Sequence, residues 1–198
     1  MELENRTPVN SKQGVGRTTL ALIGFLCTIY VLEVWLHAEG NAAMLFKLGA
    51  LPDNAQWHGQ VWRLASFGFL HYDARHLFLN VSSLLISASV VENRIGGWRM
   101  LGLFLFASIC SGIAIMCKHI WMPTLGSTVG ASGGMFGMLA AAMYLLGRNP
   151  ARSKWVERGV WAITAIGFSY SLFPQISLVG HLAGYVSAWF ICSWIDLP

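Results

Sequence analysis

Six apolar runs, near residues 18–36, 76–93, 99–118, 132–147, 159–173 and 178–195, leave this chain few ways to fold. A helix that crosses a bilayer needs roughly 17–25 mostly apolar residues, and in hydrocarbon every backbone N–H and C=O must find a partner within the protein. The runs are rich in Leu, Ala, Gly and Met and lack the two-residue alternation of a membrane barrel. They predict an all-α, polytopic bundle of six transmembrane helices. A soluble domain is excluded: of 198 residues, 55% are hydrophobic and 11% charged, and the mean hydropathy is +0.55. The first run exceeds a signal-peptide core and "HAEGNAA" is a weak cleavage site, so this run is expected to stay as the first helix.

Orientation follows from the basic residues between the runs. Arg6, Lys12, Arg17, Arg94, Arg99, Arg148, Arg152, Lys154 and Arg158 fall on one side, and Lys47, Arg63, Arg75 and Lys118 on the other. The richer side is expected to be cytoplasmic, and six spans then return the C-terminus, with Asp196, to the same side. The net charge of +4 is accounted for by this topology and gives no support to a nucleic-acid partner. Cys27, Cys110, Cys117 and Cys192 lie inside spans without CxxC spacing and read as small packing residues. With no repeat or composition break, residues 1–17 read as a flexible cytoplasmic tail and 18–198 as one membrane domain.

The connection between the first two runs is unusually long for neighbouring helices. Its Trp57, Trp62, Leu64, Phe67, Phe69 and Leu70, set among Asp53, His58 and Arg63, suit a segment lying in the membrane interface.

Polar side chains inside spans are costly, and each is a candidate for function. His76 and Asn80 stand one turn apart at the start of the second run, Ser132 opens the fourth, and His181 lies near the start of the sixth. Counted from the cytoplasmic ends at about 1.5 Å per residue, these four lie about 21–27 Å up, in one layer below the outer surface. Acyl transfer needs such a set. A serine hydroxyl becomes an effective nucleophile when a base such as histidine takes its proton, and the oxyanion that forms needs donors already in place. Ser132 N–H at a helix start, the His76 ring and the Asn80 amide can supply them, aided by the helix dipole. The simplest assignment is a Ser132–His181 dyad.

Small residues follow both members of that pair. Gly133 and Gly137 in the fourth run, and Gly184 and Ala188 in the sixth, form small-xxx-small faces that allow close approach. Because Ala188 carries a methyl one turn beyond Gly184, alanine at 184 is expected to be tolerated better than valine.

With these residues in view, the chain resembles the rhomboid intramembrane serine proteases. "GASG" at 130–133, including Gly130, matches the family's GxSG nucleophile motif, and "HLAG" at 181–184 its histidine followed by glycine. "HYDARHLFLN" at 71–80 resembles the second-helix signature, "WR" at 62–63 the pair in the first outer loop, and "ENR" at 92–94 the ExR element. Phe136 stands where the family carries an aromatic packed on the catalytic histidine. Departures are small: Ala188 replaces a frequent glycine, and Gly134 extends the SG pair. The resemblance implies an intramembrane serine endopeptidase cleaving in or near the transmembrane segments of other membrane proteins, with no cofactor and no metal. It also implies a multi-pass protein of the bacterial inner membrane with both termini cytoplasmic, and leaves the oligomeric state open.

Other readings are weaker. A rhomboid-like pseudoenzyme that binds or escorts membrane clients would be marked by loss of the serine or histidine, and both are present. A transporter would show repeats or broken helices, and a metalloprotease built on His71, Asp73, His76 and His181 would lack HExxH. His71 by itself reads as an interfacial residue. Trp62 and Arg63 read as anchors of the outer connection, and Glu92 and Arg94 as partners in an ion pair or as solvated charges.

Overall fold

A computed structural model describes residues 14–52, 58–122, 127–149, 153–173 and 176–195. The tail up to residue 13, with Arg6 and Lys12, and also Asp53, Trp57, Arg152 and Asp196, lie outside the described residues. The chain runs through α1 (Arg17–Trp35), α2 (Ala42–Leu48), α3 (Arg63–Ser66), a 3-10 turn (Phe67–Phe69), α4 (Ala74–Ile95), α5 (Gly97–Trp121), α6 (Ser132–Gly147), α7 (Lys154–Tyr170) and α8 (Leu178–Trp194). The fold is all-α, and its six longer helices overlap the six apolar runs, α7 starting five residues before its run. Two short helices and the 3-10 turn give the outer connection a structure of its own.

Helices α1, α4 and α5, with 19, 22 and 25 residues, are long and apolar enough to cross a membrane. By contrast α6 has 16 residues and α8 has 17. At about 1.5 Å per residue they reach only about 24–26 Å, short of a hydrocarbon core of about 30 Å. A helix that reaches the inner boundary must then begin beneath the outer one. Ser132 is the first residue of α6.

The core is built around α6, which packs between α4, α5 and α8. All of its residues except Ser132, Tyr144 and Gly147 are buried. Leu84, Ala88 and Val91 of α4, Met100, Phe104 and Ala107 of α5, and Ala188 and Cys192 of α8 complete this cluster. The four cysteines are free, but only Cys192 is fully buried; Cys117 is exposed on α5, so the expected packing role does not hold there.

Helix ends are set by identifiable side chains. Asp73 caps α4 by accepting from His76 N–H at 2.7 Å, and Ser177 caps α8 by accepting from Gly180 N–H at 3.2 Å. The cap of α1 comes from another helix: the Glu92 carboxylate of α4 accepts from Thr18 N–H at 2.9 Å and from Thr19 N–H and Oγ1–H at 2.7 and 2.8 Å. Glu92 therefore neutralises the donors of a helix N-terminus, where an ion pair or plain solvation was the expectation.

The outer connection holds the segment that leads into α6. Leu51 and Thr128 exchange both backbone hydrogen bonds, at 2.9 and 2.8 Å, and Gly130 N–H donates to Phe67 O at 3.0 Å. Arg63, buried to 4% exposure, donates to Phe46 O at 2.5 Å and Ala50 O at 2.9 Å, and also to Gln60 Oε1. Its guanidinium lies over the Phe46 and Trp62 rings, 4.0 and 4.5 Å from their centroids. This one side chain joins both halves of the connection, an anchoring task that suits a planar five-donor group.

Candidate active site

Ser132 Oγ lies 2.8 Å from His181 Nε2. The two residues are 49 apart in sequence, and what joins them is the contact of α6 with α8. A Cβ built on Gly184 would stand 2.1 Å from Gly133 O and 3.2 Å from Gly133 Cα, so the α8 backbone rests directly on the first turn of α6. This corrects the reasoning from Ala188 that a methyl at 184 would find room, while valine, with more atoms against the same backbone, remains the worse substitution. The clash begins at the first side-chain carbon, and against backbone, so the methyl accommodated at Ala188 is no guide to position 184. The two glycines of α6 differ: a Cβ on Gly133 would meet Ser111 of α5 at 2.4 Å, whereas one on Gly137 would meet Ala107 of α5 at 2.4 Å and, as expected of the small-residue face, Ala188 Cβ and Gly184 O of α8 at 3.3 Å.

Phe136, one turn after Ser132, stacks on the His181 ring with centroids 4.4 Å apart and planes 21° apart. Behind it, Phe168 of α7 packs at 4.6 Å. The imidazole is thus held flat between helices and is 7% exposed. Its second nitrogen is engaged as well, since Nδ1 lies 2.6 Å from Ser171 Oγ at the end of α7.

On the other side of Ser132 stand the α4 residues. Gly130 has φ +134°, a region that favours glycine. A Cβ there would lie 2.7 Å from His76 Nε2 and 3.6 Å from Ser132 Oγ. The missing side chain leaves a small space between the imidazole and the hydroxyl. Asn80 is 2% exposed, and its Nδ2 has no hydrogen-bond partner among the described residues. Among the described residues no side chain caps the start of α6, where Ala131 occupies the N-cap position. An unpaired buried donor on α4 and the positive end of α6 are both features able to accept developing negative charge.

Two groups escaped the sequence reading. Glu33 of α1 is fully buried, and its carboxylate accepts the His71 N–H at 3.1 and 3.2 Å. His71 is itself fully buried, and its ring meets that of His76 edge-on with centroids 5.3 Å apart. Burial, with His76 adding to it, pushes the His71 imidazole down to about 3, which keeps it neutral. Ser171 is the second group. A lone glutamate in an apolar run is a visible signal for Glu33; nothing in the local sequence marks Ser171. Asp73, a member of the weighed metal set, is engaged as the α4 cap.

A family model for the rhomboid domain matches residues 58–197, which include each of these site residues except Glu33. The chain belongs to the rhomboid family. It is 28% identical over 187 residues to the rhomboid protease GlpG of Yersinia enterocolitica, covering 90% of this chain and 63% of that protein. It is 29% identical over 161 residues to the rhomboid protease GluP of Bacillus subtilis, covering 80% of this chain and 31% of that one. The chain thus matches less than two thirds of either relative's length. Membership in the rhomboid family and the long apolar helices make it an integral membrane protein.

Proposed function

We propose that this rhomboid is an intramembrane serine endopeptidase that cleaves peptide bonds in or near the transmembrane segments of other membrane proteins. The observation that carries the reading is the 2.8 Å approach of Ser132 Oγ to His181 Nε2, and the proteases among its relatives point the same way.

In the proposed reaction, Nε2 of His181 takes the Ser132 proton as Oγ attacks the scissile carbonyl carbon. The carbonyl oxygen becomes an oxyanion, received by Ser132 N–H, Asn80 Nδ2 and the His76 ring. Collapse of the tetrahedral species breaks the C–N bond, and the His181 imidazolium gives its proton to the leaving amine. Water, deprotonated by His181, then attacks the acyl-enzyme and regenerates Ser132. The water reaches the site because α6 starts below the outer surface. Phe136, Gly130, Gly133, Gly137 and Gly184 act by setting the distances. In this reading the protein sits in a bacterial inner membrane with both termini cytoplasmic and the site open to the outer side.

The test is cleavage of a single-pass transmembrane substrate in proteoliposomes. Ser132→Ala and His181→Ala should each abolish cleavage while the protein remains inserted and folded, because nucleophile and base act as a unit. Cleavage by either variant at the wild-type rate contradicts the assignment.

A further inference from the structure

The Ser171 hydroxyl sits at the C-terminal end of α7, 2% exposed, and donates to Gly167 O at 2.7 Å. Back-bonding of this kind is ordinary in these helices: Ser83, Ser87 and Thr164 each donate to the carbonyl four residues earlier. Ser171 differs in what faces its oxygen from the other side, which is His181 Nδ1 at 2.6 Å. The contact spans helices α7 and α8, and both partners are buried.

Counting protons decides its direction. A hydroxyl has one hydrogen to donate and lone pairs to accept with, and a neutral imidazole has one N–H and one bare nitrogen. If Nδ1 carries the proton, three bonds form in a row: Ser132 O–H to Nε2, Nδ1–H to Ser171 Oγ, and Ser171 O–H to Gly167 O. If Nε2 carries it, Ser171 must donate to Nδ1 and lose its bond to Gly167, while Ser132 Oγ only accepts a hydrogen bond from Nε2–H and finds no bare nitrogen to take its own proton. The first arrangement makes one more hydrogen bond, and an additional buried bond favours it.

We propose that Ser171 is a positioning residue that fixes the His181 tautomer, leaving Nε2 bare to take the Ser132 proton. The inference rests on the proposed serine-protease reading. Among the described residues no carboxylate stands behind the histidine, and a neutral hydroxyl takes the orienting place that an acid holds in triads. The end of α7 adds to its effect. When His181 becomes imidazolium, Nδ1–H still donates to Ser171 Oγ, and the hydroxyl passes that polarisation to a carbonyl in the last turn of α7, where the helix dipole is negative. Ser171 itself neither gains nor loses a proton.

Three variants and two readouts test this. Ser171→Ala should lower kcat about 10–100-fold, with KM within about 2-fold, a smaller loss than the roughly 10,000-fold that follows a wrong tautomer in an acid-backed triad. Ser171→Thr keeps the hydroxyl and should recover kcat to within about 5-fold of wild type, while Ser169→Ala, exposed on the same helix end, should match wild type. In detergent micelles, 15N spectra of the wild-type protein should show His181 protonated at Nδ1 and bare at Nε2, with the two forms mixed in Ser171→Ala. A wild-type His181 protonated at Nε2, or a Ser171→Ala variant with unchanged kcat and tautomer, overturns the proposal. So does a Ser171→Thr variant that is as slow as Ser171→Ala yet melts at the wild-type temperature. Cleavage that persists in Ser132→Ala would instead overturn the assignment of Ser132 as nucleophile, and the nitrogen spectra would still report on Ser171.

Discussion

Helices α6 and α7 are of similar length, 16 and 17 residues, and follow one another in the chain, yet they are packed in opposite ways. On α6 nearly every side chain is buried; on α7 only Val160 and Thr164 are. Leu, Ala, Met and Gly surround α6 on all faces, whereas α7 shows Trp155, Trp161 and Ile166 to its surroundings. In lipid an exposed apolar face costs nothing, so hydrophobicity alone cannot tell a central helix from a peripheral one. Close backbone contact separates regions of the two helices: Gly133, Gly134 and Gly137 in the first turns of α6 each meet a neighbour within 2.5 Å of a Cβ that is not there, while on α7 a Cβ on Gly159 would meet nothing within 4 Å and one on Gly167, near the end that reaches the site, would meet Phe136 at 2.8 Å. The site belongs to the crowded helix, and α7 touches it through Phe168 and Ser171 near its end.

That contrast can be sharpened by changes on faces that meet α6 set against changes on faces that meet lipid. Asn80→Ala should give the largest effect, a fall in kcat of about 100–1000-fold, if the unpaired amide is the oxyanion donor proposed above. Its melting temperature should barely move, since Asn80 Nδ2 has no bond to lose. Phe78→Ala, on the exposed side of the same helix, should leave kcat unchanged. A fall in substrate binding with turnover intact would reassign Asn80 to docking.

Next in size is Gly184→Ala. The added carbon must push α8 away from the Gly133 backbone, and a displacement of about 1 Å can cost roughly 100-fold in rate, together with about 1–3 kcal/mol of overpacking strain. Gly159→Ala on α7 should be neutral or slightly stabilising, by up to about 1 kcal/mol from the gain in helix propensity. Cleavage rates and thermal melts of the pair measure this, and equal behaviour of the two would break the comparison.

Glu33→Ala comes third. It leaves the buried His71 N–H without an acceptor, at a cost of about 1–3 kcal/mol in stability, and Glu33→Gln, which keeps an acceptor oxygen, should recover most of it. The smallest effect is expected from Trp161→Ala, with its side chain 57% exposed on α7: a change within about 0.5 kcal/mol by thermal melt.

The positions of the long helices were legible because a bilayer imposes a length on apolar runs. Helix α6 spans the residues expected of it, and α7 shows where the signal weakens: expected at 159–173, it starts at Lys154 and ends at Tyr170. Its first turn carries Lys154, Glu157 and Arg158, which an apolar criterion discards, and its end is closed by Ser171 folding back onto Gly167. The level of His76, Asn80, Ser132 and His181 could be counted along single helices, and the structure brings Ser132 into contact with His181 and sets His76 across Gly130 from the hydroxyl. Depth does not reveal which neighbour a side chain faces. The contacts of Glu33 with His71, of Glu92 with α1 and of Ser171 with His181 join residues of different helices, and they emerge only when the helices are packed. The consequence of a methyl at Gly184 was misjudged for the same reason, because Gly133 O is invisible from the α8 sequence.

The central claim is that Ser132 is a nucleophile made reactive by His181. The most direct measurement is reaction of the full-length protein, in detergent or liposomes, with a fluorophosphonate, read by intact mass and by mapping the modified peptide. The account predicts one adduct on Ser132 in the wild-type protein, none in Ser132→Ala, and labelling slowed to near background in His181→Ala although the hydroxyl is still there. An adduct that persists in Ser132→Ala, or labelling of His181→Ala at the wild-type rate, would contradict it.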